Sequence, residues 1–258
     1  MKYSRVFTAI LVKDLKYQWR YKVNTVVGIA FMTAFCFAII YGISLFSGEK
    51  MESASKMTVI GGYILWVIMM NNHITITSTI SSEATLGTLE QLYINTSNIY
   101  LYLIMKCMST FMVSVISLYG IVISIFLFGG LPLDVRILEI LPIIMLGIPA
   151  LWGISLAIGS LALVFKKIES VTSIVSIVLI TTIPVIVQKS AVAGLVLPFG
   201  MANRLSQEII RGDLSLLGVS PSDIALIIAN DLSYLLLGIG LYSISEMYAK
   251  KNGKLAHH

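Results

Sequence analysis

Five stretches of the chain contain no Asp, Glu, Lys or Arg: Val23–Gly48, Met57–Ser82, Cys107–Leu133, Ile140–Phe165 and Ser170–Gln188. A sixth, Ile224–Ser245, is interrupted only by Asp231. A helix of roughly 20 apolar residues crosses the hydrocarbon layer of a bilayer, so each stretch is long enough. The segments between them are short and hold the charges and the turn formers, such as Gly129-Gly130 with Pro132, and Ser220-Pro221. The pattern predicts an all-α, polytopic membrane domain over residues 23–249. Its six spans fall near 24–47, 57–81, 103–129, 140–165, 170–188 and 224–246.

The flanking segments read differently. In residues 1–22, Val6, Phe7, Ile10, Leu11, Leu15 and Trp19 recur at helical spacing among Arg5, Lys13, Asp14, Lys16 and Arg20. This is an amphipathic helix suited to the membrane interface, with Trp19 and Tyr21 at headgroup level. Residues 250–258 form a basic tail, and His257-His258 read as the start of an expression tag. A signal peptide is not expected, because the apolar run from Val23 is too long and no small-residue cleavage pattern follows it. The segment Lys189–Asp223, with Gly194, Pro198, Gly200 and Pro221, has apolar parts too short to span and predicts re-entrant or interfacial helices on the outer side.

Composition agrees with the pattern. The chain of 258 residues is 57% hydrophobic and only 12% charged, about half the charge of a soluble domain. Its basic character does not point to nucleic acid, since Lys and Arg on a membrane protein mark the cytoplasmic side. With both termini cytoplasmic, the inner segments hold 12 of the 18 basic residues and the outer segments 6. The densest group lies ahead of the first span. A multi-pass plasma-membrane protein follows. Cys36 and Cys107 lie in apolar surroundings and read as packing residues.

Enzymatic chemistry is missing. There is no G-x-x-x-x-G-K-[ST], H-E-x-x-H, C-x-x-C or G-x-S-x-G motif. His73 is the only internal histidine, and nothing in the spacing joins it to Asp231 as a catalytic pair. A transporter of this sequence that consumes ATP needs another chain to bind it.

The sharpest signal lies between the second and third blocks. From Ser82 to Ser97, Leu86, Leu89, Leu92 and Tyr93 repeat at three to four residues, so a short amphipathic helix forms easily. Glu83 and Glu90 are acids where positive-inside logic favours bases, which a basic protein surface would explain. The run Glu83 … Gly87-Thr88-Leu89-Glu90-Gln91-Leu92 resembles the E-x-x-x-G-T-L-E-x-L signature of ABC type-2 transporter permeases. Lys106 and the tail Ala249–Leu255 are compatible with that family, and Lys13–Arg20 resembles its connecting helix. The proline that often follows the signature threonine is replaced by Ser97.

The resemblance implies a cytoplasmic coupling helix formed by Glu83, Leu86, Gly87, Thr88, Leu89, Glu90 and Leu92. Leu86, Leu89 and Leu92 would be its apolar anchors, and Glu83 and Glu90 its charged contacts. It implies separate ATP-binding cassette ATPase subunits, which carry ATP and Mg, and a second permease copy, identical or not. No cofactor is expected on this chain. Membrane lipid is an expected partner; nucleic acid is not.

Polar groups inside a span usually face protein or a wet cavity. Asn71, Asn72, Thr75 and Thr79 of the second span, and Ser176 and Thr181 of the fifth, are candidate pathway-lining residues; ordinary helix–helix hydrogen bonding explains them as well. Asp231 is expected near the outer boundary, paired with Arg204 or Arg211. The proposed pathway is neutral and mildly polar. The expected function is export of an amphipathic or hydrophobic substrate (a drug, peptide or lipid-like molecule) by alternating access. A secondary transporter or channel working without ATP, or a non-transporting scaffold or immunity protein, are the alternatives.

Overall fold

A computed structural model describes residues 2–48, 51–129, 136–165, 168, 170–177, 179 and 190–253. These residues form helices and turns, with no strand among them. In chain order the helices are α1 (Lys2–Arg20), α2 (Lys22–Ser47), α3 (Ser53–Asn72), α4 (Thr75–Thr85), α5 (Leu89–Asn95), α6 (Ile99–Gly129) and α7 (Arg136–Val164). They continue with α8 (170–177), α9 (Ala191–Val196), α10 (Gly200–Arg211) and α11 (Pro221–Lys251).

Among the described residues, five stretches are long and apolar enough to cross a membrane: Lys22–Phe46, Ser55–Thr85, Ile99–Gly129, Arg136–Val164 and Pro221–Lys251. The sequence predicted six. Of the sixth, near 170–188, the described residues include α8; residues 180–189, including Thr181, lie outside them.

The core divides along the bundle. At one end, here the near end, Ile80, Leu89, Leu103, Cys107, Leu163, Tyr242 and Ala249 pack together. At the far end, Ile60, Ile64, Phe126, Ile140, Ile144, Phe199 and Ile209 do the same. Ile168 and Val175 join the near cluster, whereas Leu179 and Leu197 join the far one. The two cysteines are buried in these clusters, as packing residues should be.

The helices α7 and α11 form the most extensive pair. A Cβ at Gly153 would lie 2.3 Å from the Tyr234 carbonyl oxygen, and one at Gly238 would lie 2.2 Å from the Gly153 oxygen. Only hydrogen fits between these backbones, which is how small residues draw membrane helices together. Nearby, Asp231 Oδ1 accepts from the Ala150 N–H at 3.1 Å, next to Pro149, which supplies no donor of its own. Asp231 is 6% exposed. The expected pairing with Arg204 or Arg211 is therefore corrected: Arg204 Nε donates to Glu208 instead, at 2.9 Å, and Asp231 ties α11 to α7 inside the bundle.

The second span is not one continuous helix. The side chains of Asn71, Asn72 and His73 each turn back on the carbonyl four residues earlier: Val67 at 2.8 Å, Ile68 at 2.8 Å and Met69 at 2.7 Å. Three consecutive side chains thus compete with the backbone ladder, and α3 ends where they act. The first turn of α4 is repaired from outside, the Ile76 N–H donating to Ser155 Oγ at 2.8 Å. Asn72 Oδ1 is left buried without a hydrogen-bond partner.

The segment expected to hold interfacial or re-entrant helices contains α9 and α10. Its irregular backbone is held by α11: Asn230 Nδ2 donates to the carbonyls of Leu195 and Leu197, and the Tyr234 hydroxyl to that of Val196.

Candidate functional site

The near end gathers the features that the sequence singled out. Gly87, at φ +70°, takes the left-handed conformation that ends α4 and lets the chain reverse. The Thr88 N–H donates back to the Glu83 carbonyl at 2.9 Å, and the Thr88 hydroxyl donates to the Glu83 carboxylate. Leu89 is 2% exposed and inserts into the near-end core, with Leu92 and Tyr93 packed beside it. The glycine-threonine-leucine run therefore builds the turn and seats α5.

This changes the assignment of outward-facing groups. Leu89, expected as an apolar anchor on a partner, faces its own chain. Glu83 is occupied by Thr88. The side chains presented outward are Leu86, 73% exposed, and Ile94, 74% exposed, together with Glu90 and Gln91. Ile94 was missed because the sequence shows the helical period but not which face is already covered.

A second feature was not read from the sequence. Tyr93 of α5 hydrogen-bonds Tyr242 of α11, hydroxyl to hydroxyl, at 2.8 Å. Tyr100 donates to Glu246 Oε2 at 2.6 Å, and Lys250 donates to Glu246 Oε1 at 2.6 Å. The Lys250 ammonium also lies 5.4 Å from the centre of the Tyr93 ring, within cation–π range. Glu246 is 7% exposed, so its charge is buried and compensated on both oxygens. Burial raises the Tyr93 phenol well above its ordinary pKa, keeping its proton available. The spacing of Tyr242, Glu246 and Lys250, four residues apart, was the available signal that they share a helix face. Through this cluster α5 is fastened to the last span.

The polar residues of the second span sort into two groups. Asn72, Thr75 and Thr79 are buried, and the side chains of Thr75 and Thr79 donate to the carbonyls of Asn71 and Thr75 at 3.0 and 2.7 Å. Asn71 is exposed, with its amide on Val67 O. None of these lines the cleft between α4 and α8, a volume of about 650 Å³ walled by Ser78, Ser81, Ser82, Thr85, Thr172, Ser173 and Ser176. Of the candidates, Ser176 is at that cleft and Thr181 lies outside the described residues. Ser81, Thr85 and Thr172 were missed. Each sits on the hydroxyl-rich face that only the placement of α8 defines.

Behind Ser176 of the cleft lies the buried His73. Its Nδ1 faces the Met69 carbonyl, which can only accept, so Nδ1 carries a proton, and its Nε2 lies 2.6 Å from Ser176 Oγ, whose hydroxyl also donates to the Thr172 carbonyl at 2.7 Å. A hydrogen bond from α8 thus reaches the point where α3 and α4 part. A wall of hydroxyls can take an amphipathic molecule by hydrogen bonds; among the described residues it holds no cluster of basic residues for a strongly anionic one.

On the other side of α4, α1 is docked to α6. Lys106 Nζ donates to both oxygens of Asp14, at 2.7 and 2.8 Å, and Ser109 donates to Asp14 Oδ2 at 2.6 Å. The carboxylate thereby has three donors, and the amphipathic helix is tied to a span rather than left on the surface.

Comparison with known proteins gives one match. Residues 5–239 match the family model described as "CcmB protein". No curated protein and no solved structure matches the chain.

Proposed function

This chain belongs to the CcmB family and is the membrane permease component of an ABC-type transporter; we propose that it exports an amphipathic substrate, with α5 as the coupling helix that receives work from separate ATPase subunits. The family match supports an ABC permease without singling out the type-2 family named from the Gly87-Thr88-Leu89-Glu90 run. The observation that carries the coupling role is the arrangement of α5. Its outward face offers Leu86 and Ile94 to a partner, while Leu89 and Tyr93 fasten it to the bundle.

The association of this family with haem export fits the hydroxyl-lined cleft in chemical class. Haem is planar and apolar with two carboxylates at one edge, an amphipathic cargo. A second permease copy would complete the pathway; the apolar faces of α2 and α8, with Phe31, Phe35, Ile174 and Ile177 exposed, fit such a contact or lipid. The packing of Ile168 near one end of the bundle and of Leu197 near the other supports a sixth crossing between them. Both termini are proposed to be cytoplasmic, from the placement of the basic residues.

The test is co-purification with an ATPase subunit encoded alongside this chain. Leu86→Asp with Ile94→Asp removes the contact without touching the core, so the permease stays folded and the ATPase is lost. An ATPase that stays bound to this variant, or never binds the unaltered chain, would overturn the assignment of α5.

A further inference from the structure

A groove of about 820 Å³ lies between α1 and the near-end parts of α4 and α6. Lys13, Lys16, Tyr17 and Arg20 form one of its walls, and Ser82 and Tyr102 stand opposite. Residues 13, 16, 17 and 20 follow the three-and-four spacing of a single helix face. The two carboxylates of the groove are already engaged: Asp14 by Lys106 and Ser109, Glu83 by Thr88. Lys13, Lys16 and Arg20 have no carboxylate partner among the described residues. The groove therefore holds an excess of positive charge that the protein itself does not neutralise.

Its depth identifies what can neutralise it. Lys106 lies seven residues into α6, about 10 Å along the helix axis. The exposed rings of Tyr3, Tyr17, Trp19 and Tyr21 lie along α1 and just past its end, as aromatic side chains do at the level of lipid headgroups. A phosphate at that level meets ammonium and guanidinium donors from α1 and a phenol from α6, and its acyl chains run on toward the apolar flank of the spans. We propose that this groove binds the phosphate headgroup of an anionic phospholipid, which seats α1 against the bundle. The site opens on the other side of α4 from the α4–α8 cleft, with Ser82 at the border of both, and does not depend on the nature of the cargo.

The test uses the full-length chain, delipidated in neutral detergent, titrated with phosphatidylglycerol, with phosphatidylcholine and with inorganic phosphate. Retained lipid is followed by native mass spectrometry and binding by the shift in apparent melting temperature. Phosphatidylglycerol binds and stabilises; phosphatidylcholine and free phosphate do not. Lys13→Gln with Lys16→Gln weakens that binding by roughly fivefold for each cation removed. Arg5→Gln with Lys251→Gln removes the same charge outside the groove and leaves binding unchanged. The proposal is overturned by equal retention of the two lipids, by an equal response to free phosphate, or by equal losses in the two double variants.

Discussion

Replacing Gly153 by alanine adds one methyl group where no side chain can yield to it. The new Cβ would lie 2.3 Å from Tyr234 O, 2.4 Å from Tyr234 C and 2.7 Å from Leu235 N, all backbone atoms of α11. Ordinary contact begins near 3.4 Å, so α7 and α11 must separate by about 1 Å, and a gap of that size forfeits up to about half of each contact's attraction. Overpacking costs about 1–3 kcal/mol; relief by backbone movement alone puts Gly153→Ala at about 3 kcal/mol. At about 2–4 °C per kcal/mol for a chain of this size, the apparent melting temperature falls by about 6–12 °C.

Two further glycines calibrate the experiment. At Gly61 the added Cβ would lie 2.3 Å from Ile210 Cδ1 and 2.9 Å from its Cγ1 and Cγ2, all atoms of one side chain rather than of a helix backbone, so Gly61→Ala costs less. At Gly240 nothing lies within 4 Å, and alanine in that helix interior gains about 0.5–1 kcal/mol. Thermal unfolding of the purified variants in one detergent, at one scan rate, should rank Gly240→Ala first, then Gly61→Ala, then Gly153→Ala. A Gly153→Ala protein that melts with Gly240→Ala would refute the argument that backbone contact holds this helix pair.

Asp14→Ala takes the acceptor from Lys106 and Ser109, at about 1–3 kcal/mol, and frees α1; amide exchange within residues 2–20 should quicken roughly ten- to a hundredfold while α7 and α11 stay protected. Tyr93→Phe leaves the Tyr242 hydroxyl buried and unpaired and should lower stability by about 1–3 kcal/mol. The double variant Tyr93→Phe with Tyr242→Phe should recover part of that loss, and a strictly additive melting series would show that the pair is not coupled.

The membrane blocks were legible because exclusion of charge is a property of composition, and five of them reappear as spans. The break after Asn72 was not legible. Asn71, Asn72 and His73 look like polar residues lining a straight helix, and only their return to the carbonyls of Val67, Ile68 and Met69 interrupts it. Asp231 stood out, but its partner is a main-chain N–H, which no side-chain pattern announces. A short helix after the second span was legible along the chain, but not which of its faces is buried. Periodicity fixed the interval between Leu86, Leu89 and Leu92, whereas burial depended on α11 and α6 lying on one side of it.

The last span grips other segments at two levels along its length. Toward its middle, Asn230 and Tyr234 hold the carbonyls of residues 195–197; eight residues beyond Tyr234, Tyr242 holds Tyr93. A helix of 31 residues is about 46 Å long, so a rocking of about 5° swings one tip by about 4 Å relative to the other, more than the length of a hydrogen bond. Under the proposed coupling, such a beam carries a nudge from one face of the membrane to the other as leverage, with no chain of small side-chain adjustments between them.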